Sequence, residues 1–141
     1  MKKKKRLLEW DESSDQNNFI GIVSSSSHLG FVHNLNKTEY FDFERSEDFE
    51  KIIENETLYF IKYEHEDSDN SNRYVLLKNK GIGGTLGKEF KGLDYILVQN
   101  TENVESLNTI KEFLLSQKFI QAVVEIGSSK ISEFNKQLLE I

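Results

Sequence analysis

The spacing of apolar residues along the chain predicts where strands and helices lie. Residues 19–23 (FIGIV) form a short apolar run, which predicts a strand that is buried on both faces. Residues 57–63 and 73–77 are rich in strand-forming residues and flank the polar segment EDSDNSN, so we expect them to form an antiparallel hairpin. Strands are also predicted over residues 6–10, 39–45, 93–99 and 119–126.

Other segments repeat their apolar residues at helical spacing. Leu29, Val32 and Leu35 follow a run of serines suited to capping, which predicts a short helix. A second helix is expected to begin after Ser46 as its N-cap and to end near Asn55, with acidic residues in its first turn. The predicted apolar faces of the second, third and fourth helices are Phe49, Ile52 and Ile53; Val104, Leu107, Ile110 and Leu114; and Ile131, Phe134, Leu138 and Ile141.

The order of these elements indicates an α+β fold, with a mainly antiparallel β-sheet and helices packed on it. A chain of 141 residues is the size of one ordinary domain. We place that single domain at residues 7–141. Residues 1–6 (MKKKKR) are interpreted as a basic, flexible tail.

Charge and composition narrow the function. The formal net charge is −6, with 24 acidic and 18 basic residues, which argues against a general nucleic-acid-binding surface. The chain has no cysteine, which excludes disulfides and Cys-based zinc sites and favours the cytoplasm. The segment LLEWDESSDQ turns acidic too soon for a secretory signal, and no run approaches the roughly 20 apolar residues of a membrane span. We therefore expect a cytoplasmic protein with no membrane association.

Residues 81–88 (GIGGTLGK) are similar to a phosphate-binding loop only in their glycine content. A Walker A loop requires Gly where Ile82 stands and Ser or Thr where Glu89 stands. A dinucleotide-binding fingerprint requires Gly or Ala at Leu86, and a helix after it. We interpret the segment as a mobile loop, whose candidate partner-binding positions are Gly83, Gly84 and Gly87.

The sequence contains no complete catalytic or metal-binding motif. The segment EHEDSDN lacks the Gly and the closing Glu of a calcium loop, so we predict no metal there. His28 and His33 are five residues apart, one more than the spacing that places two imidazoles on one helix face. The serines before His28 are not part of a nucleophile elbow. We predict no catalytic residue, no metal ligand and no cofactor, and keep a small hydrolase or transferase using His28 or His65 as a third hypothesis.

The pair Asp94-Tyr95 stands where the glycine-rich segment enters a predicted strand. At such a position Asp accepts hydrogen bonds from backbone N–H groups, and Tyr buries its ring while its hydroxyl keeps a hydrogen bond. We expect the Asp94 carboxylate to accept hydrogen bonds from the backbone of residues 87–92. The pattern therefore predicts a structural role for both residues.

Residues 89–95 (EFKGLDY) resemble the second half of the signature of the IPExxxVDY family, small proteins found chiefly in the Bacteroidota. The segment F-x-GI-x-SS at residues 19–25 and the order of elements are similar as well. The two residues before the signature Glu depart from its Ile and Pro. The resemblance implies a single-domain cytoplasmic protein without assigned enzymatic activity. Its signature positions in this chain are Glu89, Leu93, Asp94 and Tyr95.

These observations favour a non-enzymatic binding module that engages a protein partner through a sheet edge or the glycine-rich loop. The alternative is an RNA- or ribosome-associated factor, in which the basic tail contacts phosphates and exposed aromatic residues such as Trp10 stack on bases. The net acidity of the chain weighs against this alternative. Its candidate phosphate contacts are Lys2, Lys3, Lys4, Lys5 and Arg6.

Overall fold

A computed structural model describes residues 17–67, 72–101 and 104–127 of the chain. The basic tail, the predicted strand at residues 6–10 and the predicted last helix lie outside these residues. The glycine-rich connection contains a short 3-10 helix, Lys88–Phe90. The other elements, in chain order, are β1 (Asn17–Val23), α1 (His28–Lys37), β2 (Glu44–Ile53), β3 (Glu56–Asp67), β4 (Asn72–Lys78), β5 (Lys80–Gly81), β6 (Gly84–Thr85), β7 (Tyr95–Asn100), α2 (Val104–Leu115) and β8 (Ala122–Ile126).

Six of the strands form one sheet in the order β2-β3-β4-β7-β1-β8, and every neighbouring pair is antiparallel. The predicted hairpin is confirmed as β3 and β4. Strand β1 lies between two partners from the second half of the chain, with Phe19 opposite Val98 of β7 and Ile126 of β8. The predicted α+β fold is therefore confirmed, with two helices in the described residues.

The two faces of the sheet are covered by different kinds of structure. On one face, α1 and α2 contribute Phe31, Leu35 and Ile110 to a buried cluster that includes Ile20 of β1. On the other face, the covering residues in the described part of the chain come from the connection between β4 and β7, not from an α-helix. Its apolar side chains there are Leu86, Phe90 and Leu93. Side chains of β1, β4 and β7 are therefore buried on both sides, as the apolar run at residues 19–23 predicts for β1.

Helix α1 begins where the serine run predicts a cap. The Ser27 hydroxyl accepts a hydrogen bond from the Gly30 N–H at 3.3 Å, which satisfies one of the free donors of the first turn. The predicted inward face is wrong at one position, because Leu29 is 68% exposed. Phe31 takes its place in the core beside Val32.

The predicted helix between residues 46 and 55 is wrong, because this segment is strand β2 and pairs antiparallel with β3. A bulge between Ser46 and Phe49 interrupts the register. The two strands are joined by a tight turn in which Glu54 adopts a positive φ of 56°. The strand predicted at residues 39–45 is only partly present: residues 41–43 lie outside the sheet, and β2 begins at Glu44.

Neither described helix combines the length and the apolar character that crossing a membrane requires.

Candidate functional site

Two segments that are distant in sequence meet at the start of β7. Gly21 of β1 lies beneath Leu93: a Cβ atom at Gly21 would stand 2.3 Å from the Leu93 Cδ1 atom. Only a residue without a side chain permits this contact in the observed geometry. The segments at residues 19–25 and 89–95, which carry the family resemblance, therefore pack directly on each other.

Asp94 fastens the loop that follows β1. Its Oδ2 atom accepts a hydrogen bond of 2.8 Å from the Ser24 N–H, and its own N–H donates to the Ile22 carbonyl at 2.8 Å. The Asp94 carbonyl also accepts the Asn79 N–H at 3.0 Å. The prediction that donors in residues 87–92 bind this carboxylate is wrong. The donor is the Ser24 N–H, about 70 residues earlier in the chain.

Tyr95 holds the same loop from inside the core. Its ring stacks on Phe31 with ring centroids 4.1 Å apart, and its hydroxyl donates to the Ser26 carbonyl at 2.8 Å. Burial, with a smaller contribution from the negative charge of Asp94, raises the pKa of Tyr95 to about 12. The hydroxyl is therefore protonated at neutral pH and available as a donor.

The serine loop, residues 24–27, is also fixed from a third direction. The Ser24 hydroxyl donates to the Phe119 carbonyl at 2.6 Å, and the Ser25 N–H donates to the Gln121 Oε1 atom at 3.0 Å. These bonds use polar groups that a nucleophile would need to keep available for a substrate. These hydrogen bonds hold the loop that precedes helix α1 in a fixed conformation.

The glycine-rich connection is anchored to the sheet, which differs from the mobile loop that the sequence suggests. Leu86 and Phe90 are fully buried. The Asn79 side chain binds this connection through both of its polar atoms: Nδ2 donates to the Phe90 and Leu93 carbonyls, and Oδ1 accepts the Leu86 N–H. Sequence analysis did not identify Asn79, because an Asn beside glycines is equally typical of an exposed turn.

A buried lysine gives the connection a second anchor. Lys51 of β2 is 3% exposed, and its Nζ atom donates to the Leu86 carbonyl. Burial lowers the pKa of Lys51, and the nearby charge of Glu89 opposes that shift. Glu89, the first of the matched signature positions, lies in the 3-10 helix, and its negative charge favours the protonated form of Lys51.

The candidate partner-binding glycines differ in their surroundings. Gly83 has a φ of +103°, a backbone conformation that favours glycine, and a Cβ atom there would stand 2.4 Å from the Leu58 Cδ2 atom, the end of a flexible side chain. Gly84 belongs to β6. Gly87 lines a surface cleft.

Two adjoining hollows, of about 570 and about 230 Å³, share Lys80, Leu93 and Asp94. We call them together the Asp94 cleft. The serine loop and His28 form one wall, and the 3-10 helix region forms the other. The remaining lining residues are Ser24, Ser25, Ser26, Ser27, Lys78, Asn79, Tyr95, Thr85, Gly87, Lys88, Lys91 and Gly92.

Lysines dominate the charge of this cleft. Lys78, Lys80, Lys88 and Lys91 line it, and the only carboxylate among its lining residues is that of Asp94. The sequence analysis missed them because it considered the glycines of this segment alone. The signal was available, since residues 78–91 (KNKGIGGTLGKEFK) carry four lysines against one acidic residue.

The histidines occupy separate environments. His28 Nδ1 lies 3.1 Å from the Tyr63 hydroxyl, and burial followed by the charges of Lys78 and Arg45 lowers the pKa of His28. His33 is exposed on α1. His65 accepts the Asp42 N–H at Nδ1 and stacks on Tyr74. Within the described part of the chain, no three His, Asp or Glu side chains group as metal ligands would; residues 68–71 of the acidic hairpin tip lie outside that part.

In comparisons with known proteins, no family model matches the chain, and no curated protein matches it.

Replacing Asp94 with Ala is expected to lower the free energy of unfolding by about 1–3 kcal/mol, because the Ser24 N–H loses its acceptor. Urea denaturation of the variant and the parent measures the effect. The control is the exposed Asp42, whose backbone N–H donates to His65. Asp42→Ala should change the free energy of unfolding by less than about 0.5 kcal/mol, because the backbone bond does not involve the carboxylate. Equal stability of the Asp94 variant and the parent would contradict the structural assignment.

Proposed function

We propose that the protein is a non-enzymatic binding module and that a protein partner docks in the Asp94 cleft. The observation that carries this proposal is the cleft itself, about 570 Å³ in its larger part, which has the size of a specific binding site. Its two walls are held by hydrogen bonds to Asp94, Tyr95 and Asn79. A partner would therefore meet a largely preformed surface, which lowers the ordering cost of binding.

The engagement of the polar groups around the cleft supports a binding role over catalysis. The Ser24 hydroxyl, the Asp94 carboxylate and the Tyr95 hydroxyl each bind backbone of a neighbouring segment. A nucleophile and its base would instead contact each other and leave the nucleophile facing the substrate. The hypothesis of a hydrolase using His28 gains no support from the partner of His28, which is the Tyr63 hydroxyl.

The cleft is a better candidate than the edge of the sheet at β2. That strand carries a bulge and several charged residues, including Arg45 and Asp48, which form an ion pair of 2.9 Å. Bulges and charges at an edge oppose the addition of another strand. A partner that adds a strand to this edge is therefore disfavoured.

Membership of the IPExxxVDY family is part of the proposal. The contact between Gly21 and Leu93 and the bond between Ser24 and Asp94 support it, because they give the paired motifs a shared structural purpose. A cytoplasmic location also belongs to the proposal, and the absence of cysteine supports it.

A photo-crosslinking experiment tests where the partner docks. The exposed Thr85 of the cleft and the half-exposed Val124 of β8 are each replaced with p-benzoylphenylalanine, and the two full-length proteins are irradiated in extract of the native cell. We expect a discrete protein adduct from position 85 and none from position 124, with and without nuclease treatment.

Two results would contradict the proposal. Adducts from position 124 alone would place the partner at the β8 edge of the sheet. Loss of every adduct after nuclease treatment would instead favour the RNA- or ribosome-associated alternative, in which the basic tail makes the contacts.

A further inference from the structure

Three lysines of the Asp94 cleft differ from most of the other described basic side chains in what they contact. Arg45, Lys62, Arg73 and Lys111 each lie within 4.0 Å of a carboxylate oxygen, and Lys51 is bound to a carbonyl. Lys80, Lys88 and Lys91 form no ion pair with any other described residue. The cleft therefore concentrates positive charge that its own surroundings leave unbalanced.

The carboxylate inside the cleft offsets one of its four lysine charges. Asp94 accepts the Ser24 N–H at 2.8 Å, so one of its oxygens is turned toward the serine loop. Burial, followed by the charges of Lys78 and Arg45, lowers the pKa of His28, which lines the same cleft. An anionic group entering the cleft would meet several cations and one partly engaged carboxylate.

We propose that the occupant of the Asp94 cleft is an acidic peptide segment of the partner, in which carboxylates contact Lys80, Lys88 and Lys91. This inference rests on the proposed function and adds the chemistry of the partner. The inference is based on charge complementarity. A basic patch on a chain of net charge −6 favours a partner segment that is acidic where it contacts the patch.

The overall charge favours a peptide over a nucleic acid. A polyanion extends its phosphates well beyond a cleft of this size and meets the acidic remainder of the protein, which repels it. A peptide can alternate acidic and apolar residues, and the half-buried Leu93 offers an apolar contact between the lysines. A short acidic and apolar segment therefore fits both the charge and the lining.

Fluorescence anisotropy with a labelled peptide that alternates Glu and Leu tests the inference. The double variant Lys88→Gln/Lys91→Gln removes two charges from the cleft. Lys37→Gln/Lys118→Gln removes two exposed charges that do not line it and is the matched control. We expect the cleft variant to bind about fivefold more weakly, from about 0.5 kcal/mol for each exposed ion pair, and the control variant to bind as the parent does. A peptide with Gln in place of Glu should not bind measurably to the parent or to either variant.

The outcomes separate this inference from the proposed function. Equal weakening in both variants would mean that net charge alone attracts the peptide, and an absence of peptide binding to the parent would also overturn the inference. Tighter binding of a single-stranded oligonucleotide, lost in the cleft variant, would assign the lysines to nucleic acid instead. If the Thr85 adduct forms undiminished in the Lys88→Gln/Lys91→Gln background, docking in the cleft stands and the acidic partner does not. If no adduct forms in the parent, the proposed function itself fails.

Discussion

Replacing Phe90 with Ala is expected to lower the free energy of unfolding by about 3–5 kcal/mol, the cost of a large cavity in a packed core. Phe90 has no exposed surface and belongs to the same cluster as Leu77 of β4 and Ile96 of β7. Because the connection covers this face of the sheet, the cavity opens between the connection and the strands. Urea denaturation measures the loss through the midpoint at constant slope.

The control for Phe90→Ala is Leu115→Ala on α2, where the side chain is 56% exposed. We expect that change to alter the free energy of unfolding by less than about 0.5 kcal/mol, as surface substitutions usually do. If Phe90→Ala were as mild as the control, the glycine-rich connection would not be packed on the sheet in solution.

Gly81→Ala is expected to be destabilising by about 3 kcal/mol, at the upper end of the range for overpacking. A Cβ atom at Gly81 would stand 2.2 Å from the Tyr59 carbonyl oxygen and 2.6 Å from the Phe60 ring. The backbone oxygen cannot turn away as a side chain can, so β5 must move from β3. That movement strains the two backbone hydrogen bonds between Tyr59 and Ile82.

Gly30 in α1 provides a matched substitution with the opposite expected sign. The atom nearest to a Cβ placed at Gly30 is the Ser27 hydroxyl oxygen, 3.5 Å away, which is an ordinary van der Waals contact. Gly30→Ala should raise the free energy of unfolding by about 0.5 kcal/mol, because Ala has the higher helix propensity. Thermal denaturation of both variants shows whether each substitution raises or lowers the stability of the protein. A Gly81→Ala protein as stable as the parent would contradict the observed approach of β5 to Tyr59.

The strands with unmistakable patterns could be predicted from sequence, and β2 shows why others could not. Phe49, Ile52 and Ile53 recur at helical spacing, and the acidic residues before them are typical of a first helical turn. The segment is nevertheless a strand, because β3 supplies backbone partners and the bulge accommodates the acidic residues. Lys51, a residue type that sequence patterns place at the surface, is 3% exposed, and its Nζ atom donates to the Leu86 carbonyl. Tertiary contacts of this kind override local preference.

The candidate site was predictable in part. The structural interpretation of Asp94 and Tyr95 agrees with their hydrogen bonds, but the partner loop at residues 24–27 could not be deduced from local spacing. The contact depends on the pairing of β1 with β7, which joins segments far apart in the chain. The cleft follows from the same pairing. Sequence patterns report local periodicity, and a surface formed by two distant segments has none.

The position of β1 has a consequence for biosynthesis. This apolar strand leaves the ribosome well before its partners β7 and β8, which begin at Tyr95 and Ala122. At about 5–20 residues per second, the first partner is synthesised roughly 4–15 seconds after β1 is complete. During that interval the hairpins of β2, β3 and β4 can form from neighbouring segments, whereas β1 has no native partner strand among them. Translation speed and early chaperone binding should therefore influence the yield of folded protein more than they would for a sheet with sequential pairing.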